Sequence, residues 1–141
     1  MAGFKMVDKK NIVVSGKRKT SIARGYITEG TGVVRINKIN INNYGSEISR
    51  EKIKEPLIIA GDSIAKKVNI TVTVKGGGSE SQADAARIVV AKLLIEHTGS
   101  KELKEKYFNY DKHMLVADTR RTEPQKPYRS SARSMRQTSK R

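Results

Sequence analysis

Residues 68–75 carry the pattern that most restricts how this chain can fold. Apolar and polar side chains alternate strictly there, the apolar ones being Val68, Ile70, Val72 and Val74. A period of two is that of a β-strand with one face in a core and the other face polar. A glycine run at 76–78 ends the strand, and residues 83–95 are then apolar on most sides. A strand of this kind followed by a helix that must be buried predicts an α+β domain.

The chain up to residue 118 supplies further elements to the same domain. We predict strands at 11–15 and 21–28, a hairpin of 33–36 and 39–41, and helices at 49–57 and 101–108. For the long helix, Ser79 and Gln82 have the spacing of a capping box, and Gly99 is a typical end. At 141 residues the chain has room for one domain. We therefore expect a flexible N-terminus at 1–10, an α+β domain at 11–118 and a C-terminal arm at 119–141.

Charge restricts the class of partner. The chain has 29 Lys and Arg against 14 Asp and Glu, a net charge of +15. Folding alone does not require such an excess, so it indicates a polyanionic partner, either nucleic acid or an anionic membrane surface. The absence of cysteine excludes disulfides and thiolate metal sites. No apolar run resembles a signal peptide or a membrane span, so a soluble cytosolic protein is expected.

The C-terminal arm is the most basic part of the chain. Residues 119–141 contain eight basic residues against Glu123 alone, a net charge of +7. Too few large apolar side chains lie there for the arm to fold by itself. It is either a disordered solubilising end or an arm that orders on RNA, and its arginine content favours RNA. Pro124 and Pro127 and several serines predict an extended or irregular conformation.

Two further segments are candidates for phosphate contacts. Lys17, Arg18 and Lys19 are expected in a loop between two strands, with Arg24 on the second strand. Such a cluster is either a solvated turn or a grip on phosphate, and the basic composition favours phosphate. Lys75 precedes the glycine run at a helix start, where backbone amides bind anions. The glycine pattern of a nucleotide loop is absent, so an RNA phosphate is preferred there, although a tight turn explains the glycines equally well.

Catalysis finds little support in the sequence. The two histidines are His97, expected to cap the long helix, and His113, near Asp111 and Asp118. His113 with an aspartate would make a base–carboxylate pair, but no nucleophile motif accompanies it. The aspartates lack metal-ligand spacing and are expected to act as caps and ion-pair partners. We therefore expect no enzyme activity, cofactor, metal or small-molecule substrate. The arm also lacks the amphipathic helix that a membrane surface would require.

Five motifs in order resemble one protein family. They read SGKRKTSIARG, VVRINKININNY, VKGGGSESQADAARIVVAKLL, LVADTRRTEPQKP and the final SKR. Together they are similar to the family of the ninth protein of the small ribosomal subunit, in its archaeal and eukaryotic branch. The resemblance is collinear from about Ile12 to Arg141.

The resemblance implies a mixed β-sheet packed against helices with a left-handed βαβ crossover, seated on ribosomal RNA in the subunit head. It implies a long basic extended arm whose last residues, Lys140 and Arg141, contact peptidyl-site transfer RNA. It also implies neighbouring head proteins as partners and a cytoplasmic ribosomal location. The ribosomal-RNA candidates are Lys17, Arg18, Lys19, Arg24, Lys75, Arg120, Arg121, Lys126, Arg129, Arg133 and Arg136.

The chain departs from this family pattern near its end. Residues 127–131 stand where related sequences are glycine-rich, and Thr138 and Ser139 precede the final cations. These departures concern the path of the arm. Two other functions share the charge and the fold class: a protein subunit of a ribonuclease ribonucleoprotein, and a free RNA chaperone.

Overall fold

The structure is a computed structural model, which describes residues 12–136. Its strands are β1 (Ile12–Arg18), β2 (Ser21–Glu29), β3 (Val34–Ile36), β4 (Ile39–Asn40) and β5 (Val68–Lys75). Its helices are α1 (Glu47–Ala60), α2 (Asp62–Ala65), α3 (Ser79–Thr98) and α4 (Lys101–Tyr110). Short 3₁₀ turns lie at Ile41–Asn43 and Lys112–Met114. The predicted α+β fold class is confirmed.

The strands form one mixed sheet in the order β1-β2-β5-β3-β4. Strand β2 pairs antiparallel with β1 and with β5, whereas β3 pairs in parallel with β5. The chain runs from β3 through the β4 hairpin and helices α1 and α2 before it returns as β5. This connection is the expected βαβ unit, and its left-handed sense stays a prediction. The hairpin turn at Asn37 and Lys38 has positive φ at both residues, which is the backbone twist that two-residue hairpins require.

Helix α3 covers one face of the sheet. Val89, Leu93 and their buried neighbours on this helix pack against the sheet where β1 and β2 carry glycine. A Cβ at Gly25 would lie 2.7 Å from a Val89 methyl, and one at Gly16 would lie 2.9 Å from the other. The glycines therefore let the helix approach the sheet more closely than any side chain would permit. The predicted buried position of this helix is confirmed.

Helices α1 and α4 complete the core on the same side of the sheet. The buried hydroxyl of Tyr107 on α4 donates a hydrogen bond of 2.7 Å to the carbonyl oxygen of Pro56 in α1. Helix α1 is longer at both ends than the predicted 49–57. It begins after Ser46, whose hydroxyl accepts from the Ser49 amide, and it ends at Gly61 with φ of 87°. Pro56 lies inside the helix, which continues four residues beyond it to Ala60.

The start of α3 corrects the predicted capping box. The N-cap residue of the helix is Gly78 rather than Ser79. The Ser81 hydroxyl accepts from the Gly78 amide at 3.1 Å, and the Gln82 side-chain amide donates to the Gly76 carbonyl at 3.0 Å. The predicted spacing was therefore wrong by one residue, because the last glycine of the run occupies the cap position. Gly99 has φ of 62° and ends the helix as predicted.

Candidate nucleic-acid interface

The sheet face opposite α3 is open to solvent, and we call it the outer face. In every strand that contributes to it, buried and exposed residues alternate, so every second side chain points to this face. Its residues are Val13, Ser15, Lys17, Ile22, Arg24, Tyr26, Thr28, Arg35, Asn69, Thr71, Thr73 and Lys75. No Asp or Glu occupies any of these positions. The outer face is therefore polar and carries only positive charge.

Three of the predicted RNA contacts share this face. Lys17 and Lys75 flank Ile22 in one row across β1, β2 and β5. Arg24 lies in the next row, between Ser15 and Thr73. Neighbouring strands are about 4.8 Å apart, so these cations form one cluster although they are far apart in sequence.

Sequence reasoning missed a fourth cation of this cluster, Arg35. It lies on β3 opposite Thr71 of β5, between the buried Val34 and Ile36. The alternation within this short strand was the available signal. Because β3 is only three residues long, the pattern alone could not show that the strand lies beside β5.

Arg18 lies on the other side of the sheet, which corrects its predicted place in a loop. Residues 16–18 belong to β1, and only Lys19 and Thr20 form the turn. Alternation turns Arg18 towards the helices, where its side chain is 16% exposed. A guanidinium nitrogen lies 3.0 Å from an Asp118 carboxylate oxygen, as an ion pair without hydrogen-bond alignment, and another lies 3.9 Å from Asp84. The charge of Arg18 is thus balanced within the protein.

Asp118 joins the domain to the basic C-terminal segment. Its side chain is 6% exposed and accepts hydrogen bonds from the side chain and the backbone amide of Arg120, the closest at 2.8 Å. The contacts with Arg120, together with the charge of Arg18, hold the pKa of Asp118 well below its usual range. The carboxylate is therefore ionised whenever the protein is folded near neutral pH, and it fixes where the segment leaves the domain.

The helical side of the domain has mixed charge. Arg87 of α3 pairs with Glu55 at 2.5 Å and with Asp111 at 2.7 Å. Lys52 of α1 pairs with Glu80 at 2.7 Å, which lowers the pKa of Glu80 and raises that of Lys52. The prediction that the aspartates act as caps and ion-pair partners is confirmed. Acidic residues lie among the cations on this side, whereas the outer face carries cations without any carboxylate.

Residues 119–136 form turns but neither helix nor strand. The predicted irregular conformation agrees with this, while an extended arm that orders on RNA stays a prediction. Arg120 is held by Asp118, and the Arg133 guanidinium binds both oxygens of Glu123. The Arg136 guanidinium lies 5.5 Å from the centre of the Tyr128 ring. The candidates without a carboxylate partner among residues 119–136 are Arg121, Lys126, Arg129 and Arg136.

The remaining predicted contacts are Lys19, the two C-terminal cations and the glycine run. Lys19 is exposed in the turn after β1, where φ is 52°. Lys140 and Arg141 lie outside the described residues. At the glycine run, the Ser21 hydroxyl donates to the Gly76 carbonyl at 2.8 Å, and a Cβ at Gly76 would lie 2.7 Å from a Thr20 oxygen. The tight turn therefore accounts for the glycine at 76 without a bound phosphate.

No arrangement suited to catalysis is found between residues 12 and 136. Asp111 accepts from the backbone amide of His113, at 2.9 Å, and from Arg87 rather than from an imidazole. His97 is exposed in the last turn of α3. Within this range, no three His, Asp or Glu residues stand close enough together to hold a metal ion. Likewise, none of the described helices is both long and apolar enough to cross a bilayer.

A small α+β domain with one cationic sheet face and a basic C-terminal segment has the charge distribution typical of nucleic-acid-binding proteins. The family model described as Ribosomal protein S9/S16 matches residues 16–141. The chain belongs to this family, whose members are structural proteins, and the resemblance seen in the sequence is confirmed.

Individual archaeal relatives agree with this assignment. The small ribosomal subunit protein uS9 of Methanococcus vannielii is 49% identical over 116 residues, which is 82% of this chain and 86% of the relative. The protein of the same name from Methanococcus maripaludis is 46% identical over the same share of both chains.

Proposed function

We propose that this chain is a structural constituent of the small ribosomal subunit that binds ribosomal RNA in the subunit head. The observation that carries this proposal is the outer face, where Lys17, Arg24, Arg35 and Lys75 share one surface with no carboxylate. A rigid surface of this kind matches the regular negative charge of an RNA backbone. Family membership supports the same assignment.

The mechanism is electrostatic. Each lysine or arginine that meets a phosphate releases condensed counterions, and this entropy gain favours binding at low salt. The outer face provides fixed cations, whereas the segment after Asp118 provides cations that can follow the RNA surface. Where RNA helices approach one another, the two together lower the repulsion between their backbones. Neighbouring head proteins and a cytoplasmic ribosome are the expected surroundings.

The end of the chain has a separate part in the proposal. Lys140 and Arg141 would present two positive charges to the backbone of peptidyl-site transfer RNA during translation. This assignment rests on the family resemblance at the final residues.

The test compares two full-length variants with equal charge loss. In the first, the four cations of the outer face become glutamine: Lys17, Arg24, Arg35 and Lys75. In the matched control, four exposed lysines that are not among the outer-face residues become glutamine: Lys67, Lys101, Lys104 and Lys106. Binding to a head-domain fragment of small-subunit RNA is measured over a salt series.

We expect the first variant to lower the log–log salt slope by about three to four units, since each lost phosphate contact removes about 0.9. The control should change the slope by less than about one unit. Equal slopes in the two variants would show that only total charge matters and would contradict the proposed interface.

A further inference from the structure

The centre of the outer face is not itself charged, although cations surround it. Tyr26, a residue 45% exposed, lies there on β2 in one row with Val13 of β1 and with Thr71 and Arg35 beyond it. Val13 is 66% exposed. An aromatic and an apolar side chain exposed side by side on a sheet face and rimmed by polar and cationic residues are typical of a surface that a partner covers.

The surroundings of Tyr26 indicate the chemistry of that partner. Arg24 precedes it by two residues on the same strand and therefore on the same face, and Arg35 ends its row. Within residues 12–136, the Tyr26 hydroxyl has no hydrogen bond. An aromatic ring between two arginines, with no acidic side chain on the face, favours a partner that has both a flat apolar surface and negative charge.

We propose that Tyr26 stacks on an unpaired base of ribosomal RNA while Arg24 and Arg35 bind the phosphates on either side of that nucleotide. Bases in loops and bulges can leave the helical stack and lie on aromatic side chains, whereas bases within a duplex cannot. The outer face would therefore distinguish single-stranded RNA from duplex RNA. This inference rests on the proposed RNA-binding function and assigns a nucleotide site within it.

The experiment compares Tyr26→Phe, Tyr26→Leu and, as a matched control, Tyr110→Leu. Tyr110 is an exposed tyrosine at the end of α4, a helix that packs against α1 and α3 and not against the sheet. Each full-length variant is titrated with a short unstructured RNA oligonucleotide of mixed sequence and with an RNA duplex of equal length. Thermal melting confirms that each variant is folded.

Stacking predicts that Tyr26→Leu weakens binding to the unstructured RNA about 5- to 100-fold and leaves the salt slope unchanged, since no charge is lost. Tyr26→Phe and Tyr110→Leu should bind like the parent chain, and no variant should change affinity for the duplex. Unchanged single-strand affinity of Tyr26→Leu would overturn the stacking site. If the proposed RNA-binding function itself were wrong, the parent chain would show no salt-dependent affinity for either RNA, which distinguishes that result from the loss of the stacking site alone.

Discussion

Three consecutive cations, Lys17, Arg18 and Lys19, give the most discriminating test of the fold. In the sequence they are equivalent, but in the structure Lys17 points to the outer face and Arg18 to the helical side. We therefore expect Lys17→Gln and Arg18→Gln to have opposite consequences. Both substitutions remove one positive charge and keep a long side chain, so each controls for the other.

The magnitudes follow from the surroundings of each side chain. Lys17 is exposed on the outer face in one row with Lys75, so its loss should lower the salt slope of RNA binding by about 0.9. Over a fourfold rise in salt this amounts to about 3.5-fold less loss of affinity than in the parent chain. The thermal midpoint of the Lys17→Gln variant should hardly change, because a surface charge contributes little to the stability of the fold. Arg18→Gln should leave the slope nearly unchanged and lower the thermal midpoint, because Asp118 and Asp84 lose a cation that faces them.

The assay pairs a salt series, read by fluorescence anisotropy with a labelled head-domain RNA fragment, with thermal melting read by circular dichroism. Equal slope changes for both variants, with both melting like the parent, would refute the assignment of Arg18 to an internal ion pair. The three cations would then act as the solvated or phosphate-binding loop that the sequence predicts.

Two other predictions concern stability. Gly25→Ala should cost about 1–3 kcal/mol, because its Cβ would meet a Val89 methyl at 2.7 Å, and Val89→Ala should cost a similar amount through a cavity. In urea denaturation the double variant should be less destabilised than the sum of the two by about 1 kcal/mol, whereas strict additivity would contradict the close packing. Asp118 has a lowered pKa in the folded chain, so its contribution to stability is present above about pH 4 and is lost as the pH falls below that value. Asp118→Asn should therefore reduce the fall in the free energy of unfolding between about pH 5 and pH 2. An unchanged profile would show that the Asp118 carboxylate does not cause this pH dependence.

Local patterns predicted most of the secondary structure. The strict alternation at Val68–Lys75 and the apolar residues of α3 identified both elements with their limits nearly correct. These predictions succeed because periodicity reports burial directly. The limits of β1 and α1 were less accurate, since charged residues continue β1 and a proline lies inside α1.

The candidate site could be predicted only in part. Composition indicated a polyanionic partner, and Lys17, Arg24 and Lys75 were identified as candidates. Arg35 and Tyr26 were not, and Arg18 was placed on the wrong surface. The place of Arg35 depends on which strand lies beside which, and the order β1-β2-β5-β3-β4 has no local signal. Arg18 was misplaced because β1 continues through residues 16–18, which the sequence predicted to be a loop.

The sequence by itself determined the excess of positive charge, the absence of thiol chemistry, and a strand and helix that must be buried together, since these depend only on which residues are present and how they are spaced. The tertiary structure alone decided that Arg24, Arg35 and Lys75 share a face and that Arg18 forms an ion pair with Asp118. The physical reason is that strand pairing joins segments some fifty residues apart, such as Ile22 and Lys75, through backbone hydrogen bonds that are the same for every side chain. Packing against α3 selects among these pairings, and that selection places the cations of distant segments on one surface.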